Sequence, residues 1–164
     1  MRKIRKYGEN ILRKRAEEVK DIDDKVRKLI KSMKETLISV KGLGLAANQV
    51  GILKRIFIAY DKEKGNLITV INPEIVDKNQ EEIIDFEGCL SFPEIYFSIN
   101  RNKMVTIKGI NENGKEIIIE GKDLLARCFQ HEIDHLNGIL IIDYASEQEK
   151  KYYEKKLKEL TSQS

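Results

Sequence analysis

The sequence predicts an α+β fold: antiparallel strands packed around a central helix carrying a His-Glu-x-x-His motif, with one further helix toward each end. Three observations predict it. Apolar residues recur at helical spacing over 24–41, β-branched and aromatic residues dominate the middle of the chain, and helical spacing returns over 123–137.

Each element follows from local pattern. Val26, Leu29, Ile30, Met33, Leu37 and Val40, with Lys and Glu between them, form the apolar face of the N-terminal helix. Gly42-Leu43-Gly44-Leu45-Ala46-Ala47-Asn48-Gln49 reads as a small-residue loop. Residues 55–60, 67–71, 82–86 and 104–110 are rich in Ile, Val, Phe and Thr and read as strands. The turn signal Asn111-Glu112-Asn113-Gly114 joins 104–110 to 115–120 in a hairpin. On the central helix, 123–137, Leu124, Leu125, Cys128, His131 and His135 share one face. Gly138 is placed to end it as a left-handed cap. Ser146-Glu147-Gln148-Glu149 fits a capping box, opening a last helix through Tyr152, Leu157 and Leu160.

A length of 164 residues fits one domain spanning 1–164, with a core that needs no disulfide support. Charged residues make up 35% and apolar residues 41%, at a formal net charge of +3. That balance describes a solvated globular surface and requires neither DNA nor a membrane as partner. No apolar run approaches the ~20 residues a bilayer span needs. The basic start, Met1 to Lys6, is followed by no apolar stretch, so no export signal and a cytoplasmic location are expected. In that reducing compartment Cys89 and Cys128 are thiols, ligands or core residues rather than a disulfide.

The chemistry points to His131-Glu132-Ile133-Asp134-His135. On a helix, positions i and i+4 lie one turn apart on one face, so two imidazoles there can hold one metal ion. Glu132, one residue after the first ligand, can reach water on that ion. A hydrolytic site of this kind needs a third protein ligand and an open position. A metzincin would place a third His where Ile141 stands, which excludes that class. A gluzincin would use a downstream Glu; Glu147, Glu149, Glu154 and Glu159 are available, with little chain left to build a protease around them.

The remaining candidates are the cysteines, since a thiolate with two imidazoles suits zinc or iron(II). Cys128 lies three residues before His131 on the same helix face. Three ligands on one straight helix converge poorly, however, and Leu124-Leu125-Ala126 makes an apolar neighbourhood in which a thiol acts as a small hydrophobe. Cys89 follows Gly88, which permits close backbone approach, and precedes Pro93, which is expected to end the strand's hydrogen bonding.

Three segments together resemble the peptide deformylase family: Gly42 to Gln49, Glu87-Gly88-Cys89-Leu90-Ser91, and Gln130-His131-Glu132-Ile133-Asp134-His135-Leu136-Asn137-Gly138. Tyr7-Gly8 with Ile11-Leu12-Arg13 is similar to the family's N-terminal segment. The resemblance implies a hydrolase that removes the formyl group from N-formylmethionine at the start of new polypeptides and releases formate. It implies Cys89, His131 and His135 as ligands of one divalent metal, Fe(2+) natively; iron(II) beside a thiolate is easily lost to oxygen, so Zn(2+), Ni(2+) or Co(2+) can take its place in purified protein. Water on that metal would attack the formyl carbon, with Glu132 as general base. Gln49 and the backbone N–H of Leu90 would hold the formyl oxygen. Gly44 would approach the substrate, and Leu43, Glu87, Leu124, Arg127, Cys128 and His131 would line the methionine pocket; for Leu43 and Leu124 the alternative is simple core packing. Arg101 would pair with Glu87, and Asp134 would support the ligands from behind.

The chain departs from the family pattern after Pro93-Glu94, where Ile95-Tyr96 stands in place of an Arg that contacts the peptide backbone. Docking of the C-terminal helix near the ribosomal exit tunnel is also implied. Lys150, Lys151, Lys155, Lys156 and Lys158 are nearly balanced there by Glu147, Glu149, Glu154 and Glu159, so a solvated amphipathic helix is the simpler reading. Two rivals stay open. A small metallopeptidase would need one of those glutamates, and a purely structural site would recruit Cys128 into a closed Cys2His2 set.

Overall fold

A computed structural model describes residues 1–163. Helix α1 spans Asp24–Val40; the Asp23 carboxylate caps its start by accepting from the Val26 amide at 2.9 Å. A five-stranded antiparallel sheet follows in the order β1-β2-β3-β6-β7, made of Gly44–Ala46, Ile56–Asp61, Asn66–Lys78, Met104–Ile110 and Glu116–Lys122. Strands β4 (Glu82–Cys89) and β5 (Phe92–Asn102) form a separate two-stranded ribbon. Helix α2 is Asp123–Leu136, and Gly138 just beyond it holds the left-handed φ of 73° expected of it.

Strand β2 explains how the helices are placed. Ile56 and Ile58 point to one side, where they join Leu29, Ile30, Met33 and Leu37 of α1. Phe57 and Ala59 point to the other, where they join Ala126, Phe129 and Ile133 of α2. Both faces of the sheet are therefore covered, and β2 reads as a continuous apolar run rather than an alternating one. On its far side α2 meets the ribbon, so it lies between two layers of strands with Ala126 to Ile133 all buried. A third apolar cluster packs Phe92, Ile95, Phe97 and Ile99 of β5 against Leu12, Leu140, Ile141 and Leu157.

Several boundaries differ from the sequence expectation. Gly44–Ala46 forms strand β1, pairing Gly44 with Ala59, where a loop was expected. Strand β3 runs on to Lys78 past Pro73; Asn72 turns to a φ of 52° there and its amide bonds both the N–H and the carbonyl of Val19. Strand β5 runs through Pro93, contrary to the expectation that this proline ends strand hydrogen bonding. The ladder pairs Cys89 with Phe92 and Glu87 with Phe97, so residues 93–96 face a single residue, Gly88. Pro93 sits inside that irregularity, where no ladder donor is needed. The last helix is two: α3, Glu147–Tyr152, opened by the expected Ser146–Glu149 box, and α4, Glu154–Ser162, separated at Tyr153.

Candidate metal centre

Three chain segments meet at the ribbon-facing side of α2. The sulfur of Cys89 lies 3.2 Å from Nε2 of His135, which lies 3.2 Å from Nε2 of His131. The three donor atoms lie within 4.8 Å of one another, and no other His/Cys/Asp/Glu group of this kind occurs among the described residues. The i, i+4 spacing sets the two imidazoles on one face, and the tight turn between β4 and β5 brings the thiol to them.

The donor chemistry fits a divalent cation. Nδ1 of His131 faces Glu87 Oε2 at 2.6 Å, which fixes the ring and leaves Nε2 as the outward atom. Burial disfavours charge on both imidazoles; at His135 it prevails and keeps the ring neutral, the form that ligates. At His131 the Cys89, Glu132 and Glu87 charges outweigh it.

Glu87 is itself clamped. Arg101 forks onto it at 3.1 and 2.7 Å, and Arg127 Nη1 reaches its Oε1 at 3.1 Å. Burial alone would raise this carboxyl, but His131 and Arg101 hold it well below the usual carboxylate range. Behind it, Arg101 Nη1 donates to Asp134 Oδ2 at 2.7 Å.

Glu132 is buried beside the donor atoms, with Oε2 at 4.0 Å from His131 Nε2. Its Oε1 has no partner among the described residues and so remains free to accept a proton. Burial pushes the carboxyl up to about 7, although His131 works against it. Gly44 allows this placement: a Cβ there would lie 2.5 Å from Glu132 Oε2 and 2.7 Å from the Cys128 sulfur. Gln49 sits in a one-turn 3-10 helix, Ala47–Val50. The Ala46 amide holds its Oε1 at 2.9 Å, while Nε2 points at Ser91 Oγ (3.1 Å) and the Cys89 sulfur (3.6 Å).

Cys128 does not join the donor group. Its thiol donates to the Leu43 carbonyl at 3.2 Å. Burial, with Glu132 and Glu87 nearby, raises it well above its usual range, so it stays protonated. A cleft of about 420 Å3 opens onto Cys89, His131 and Glu132, and Leu43, Gly44, Glu87, Leu90, Leu124 and Arg127 help to line it. Leu43 (37% exposed) and Leu124 (43% exposed) face this cleft, which overturns the reading of both as core. Tyr96, half exposed, lays its ring over Gly88, where any Cβ would meet it at 2.7 Å.

Two contributors were not anticipated from sequence. Ser91 anchors the Gln49 amide, and Tyr144 donates to Asp134 Oδ2 at 2.6 Å while its ring covers the Arg101 guanidinium, 4.8 Å from the ring centroid. Ser91 lies in the block that carries the resemblance but had no role assigned to it, and Tyr144 carries no local signal, because both act across the fold.

Comparison with known proteins agrees with this geometry. The family model described as polypeptide deformylase matches residues 1–151. The peptide deformylase of Thermodesulfovibrio yellowstonii is 46% identical over 158 residues, covering 94% of this chain and 95% of its own length. Among solved structures, the peptide deformylase of Ehrlichia chaffeensis in complex with actinonin superposes with a TM-score of 0.92 at 38% identity, covering 97% of this chain and 96% of that one. The peptide deformylase of Thermus thermophilus superposes with a TM-score of 0.92 at 32% identity, covering 99% of both chains.

Proposed function

The chain belongs to the peptide deformylase family, metal-dependent hydrolases acting on N-formylmethionyl peptides, and we propose that Cys89, His131 and His135 hold its catalytic cation. The convergence of those three donor atoms within 4.8 Å carries the reading. A divalent cation supplies a Lewis acid for the formyl oxygen and lowers the pKa of water toward neutrality. We take iron(II) as the native ion on the family resemblance alone; one thiolate with two imidazoles suits it as well as zinc.

The chain's own residues do the rest. Glu132 takes a proton from the attacking water and hands it to the departing amine, yielding formate and a free amino terminus. Its free Oε1 and near-neutral pKa support both transfers; a seated cation would pull that pKa lower. Gln49 and the Leu90 amide donate to the formyl oxygen as it gains charge, each worth roughly 3–4 kcal/mol in such sites. The methionine side chain enters beside Leu43, Leu124 and Cys128. Glu87 and Arg127 pair with each other there, so neither brings an unpaired charge to the apolar wall. Arg101 and Asp134 support the ligands from behind.

One catalytic domain over 1–164 is part of this reading, supported by the sheet that α1 and α2 share. A cytoplasmic location is supported by the substrate, which arises at translation. Docking of α3 and α4 near the ribosomal exit tunnel is supported by the resemblance alone. No helix among the described residues is long and apolar enough to cross a membrane.

Incubation of the iron(II)-loaded protein with formyl-Met-Ala-Ser tests the reading. Formate and intact Met-Ala-Ser are the expected products. Internal peptide cleavage would support a metallopeptidase instead, and a metal-loaded protein that releases no formate would overturn the assignment.

A further inference from the structure

We propose that Tyr144 is a positioning residue for the metal centre, fixing Asp134 and Arg101 and, through Glu87, the orientation of His131. The inference rests on the metal-site reading above.

The contacts form one continuous chain from the protein surface to a ligand. Tyr144 Oη donates to Asp134 Oδ2 at 2.6 Å, and Arg101 Nη1 donates to that same oxygen at 2.7 Å. One carboxylate oxygen thus takes a neutral and a charged donor together. The opposite edge of the Arg101 guanidinium forks onto Glu87, and Glu87 Oε2 receives both Arg101 Nη2 (2.7 Å) and His131 Nδ1 (2.6 Å). A planar guanidinium held at both edges has little freedom to turn. The Tyr144 ring lies over the guanidinium carbon at 4.8 Å, blocking movement out of that plane.

The weak point of the chain is Asp134, the most solvent-accessible member between Tyr144 and His131. A carboxylate in contact with water can swing outward and release Arg101. The Tyr144 hydroxyl opposes that swing. The mount is itself anchored: Tyr144 ends a one-turn 3-10 helix, Ile141–Tyr144, in which Asp143 caps the Leu140 amide at 2.9 Å and pairs with Arg13 at 2.7 Å. Tyr144 is 41% exposed, so it is placed to cover and bond rather than to fill a core.

Tyr144→Phe keeps the ring and removes the hydroxyl. Cobalt(II) replaces the native ion, so the ligand field is read by absorbance without turnover. The expected result is displaced cobalt d–d bands and metal release to a chelator accelerated roughly 5-fold. That is less than the 10–100-fold typical of groups bonded directly to a ligand. In an Asp134→Ala background, where neither the Tyr144 hydroxyl nor Arg101 has an acceptor left, the same substitution should add nothing, because the chain is already cut. A Tyr144→Phe protein with native cobalt bands and native release rate would overturn the inference, even if its melting temperature fell. A wild-type protein lacking the thiolate-to-cobalt charge-transfer band would overturn the metal-site reading beneath it.

Discussion

Glu87 Oε2 lies 2.6 Å from His131 Nδ1 and 2.7 Å from Arg101 Nη2, so one buried oxygen ties the His131 imidazole to a guanidinium. Four donor atoms from three side chains, Arg101 of β5 and Arg127 and His131 of α2, converge on this carboxylate. Its removal acts on folding and on the site together. Glu87→Gln leaves Arg101 and Arg127 without their shared counter-charge. The expected loss is roughly 3–5 kcal/mol in denaturant unfolding, with metal affinity lowered about 10–100-fold in chelator competition.

Gly44→Ala puts a methyl group where the Glu132 carboxylate and the Cys128 sulfur now lie, 2.5 and 2.7 Å away. The carboxylate must shift while the three metal donors stay in place. Formate release should fall about 100-fold, the cost typical of a misplaced reacting group. Metal content by elemental analysis should be unchanged.

Cys128→Ala removes a hydrogen bond to the Leu43 carbonyl but no metal donor. The variant should retain stoichiometric metal and fold with a loss of about 1 kcal/mol. Metal loss equal to that of Cys89→Ala would indicate a closed, structural Cys2His2 site.

The Arg13–Asp143 pair makes an acid-sensitive contribution to stability. Burial works to raise Asp143, but the Arg13 guanidinium and the Leu140 amide hold it below its usual value. A folded-state pKa below the unfolded one stabilises the protein above the unfolded pKa, and that contribution is lost as pH falls through the folded value. Wild type should therefore lose more stability than Asp143→Asn on acidification below about 4, compared by urea unfolding across pH.

Much of this was legible in the sequence, for local reasons. Helical spacing marked α1 and α2, the Asn111–Gly114 turn marked the β6–β7 hairpin, and His131 and His135 announced themselves by i, i+4 spacing on one face, with Glu132 directly after the first. What escaped depended on distant partners. Strand β5 was hidden by Pro93, harmless only because the ladder skips there opposite Gly88. Strand β3 was cut short at Pro73, whose approach depends on Asn72 bonding to Val19. Cys89 entered as a ligand through family resemblance, since no local pattern shows that the β4–β5 turn closes onto α2. The roles of Ser91 and Tyr144 were missed for a like reason: Ser91 meets Gln49 only when the β4–β5 turn closes onto the Ala47–Val50 turn, and Tyr144 meets Asp134 only when the C-terminal segment packs against α2.

The most direct test of the central claim is turnover against metal content in Glu132→Gln. The substitution keeps the size and polarity of the side chain and removes its ability to accept a proton from water. The account predicts a protein with one metal ion per chain, as in wild type, and formate release reduced by at least about 100-fold. A Glu132→Gln protein that keeps both its metal and its wild-type rate would contradict Glu132 as the base.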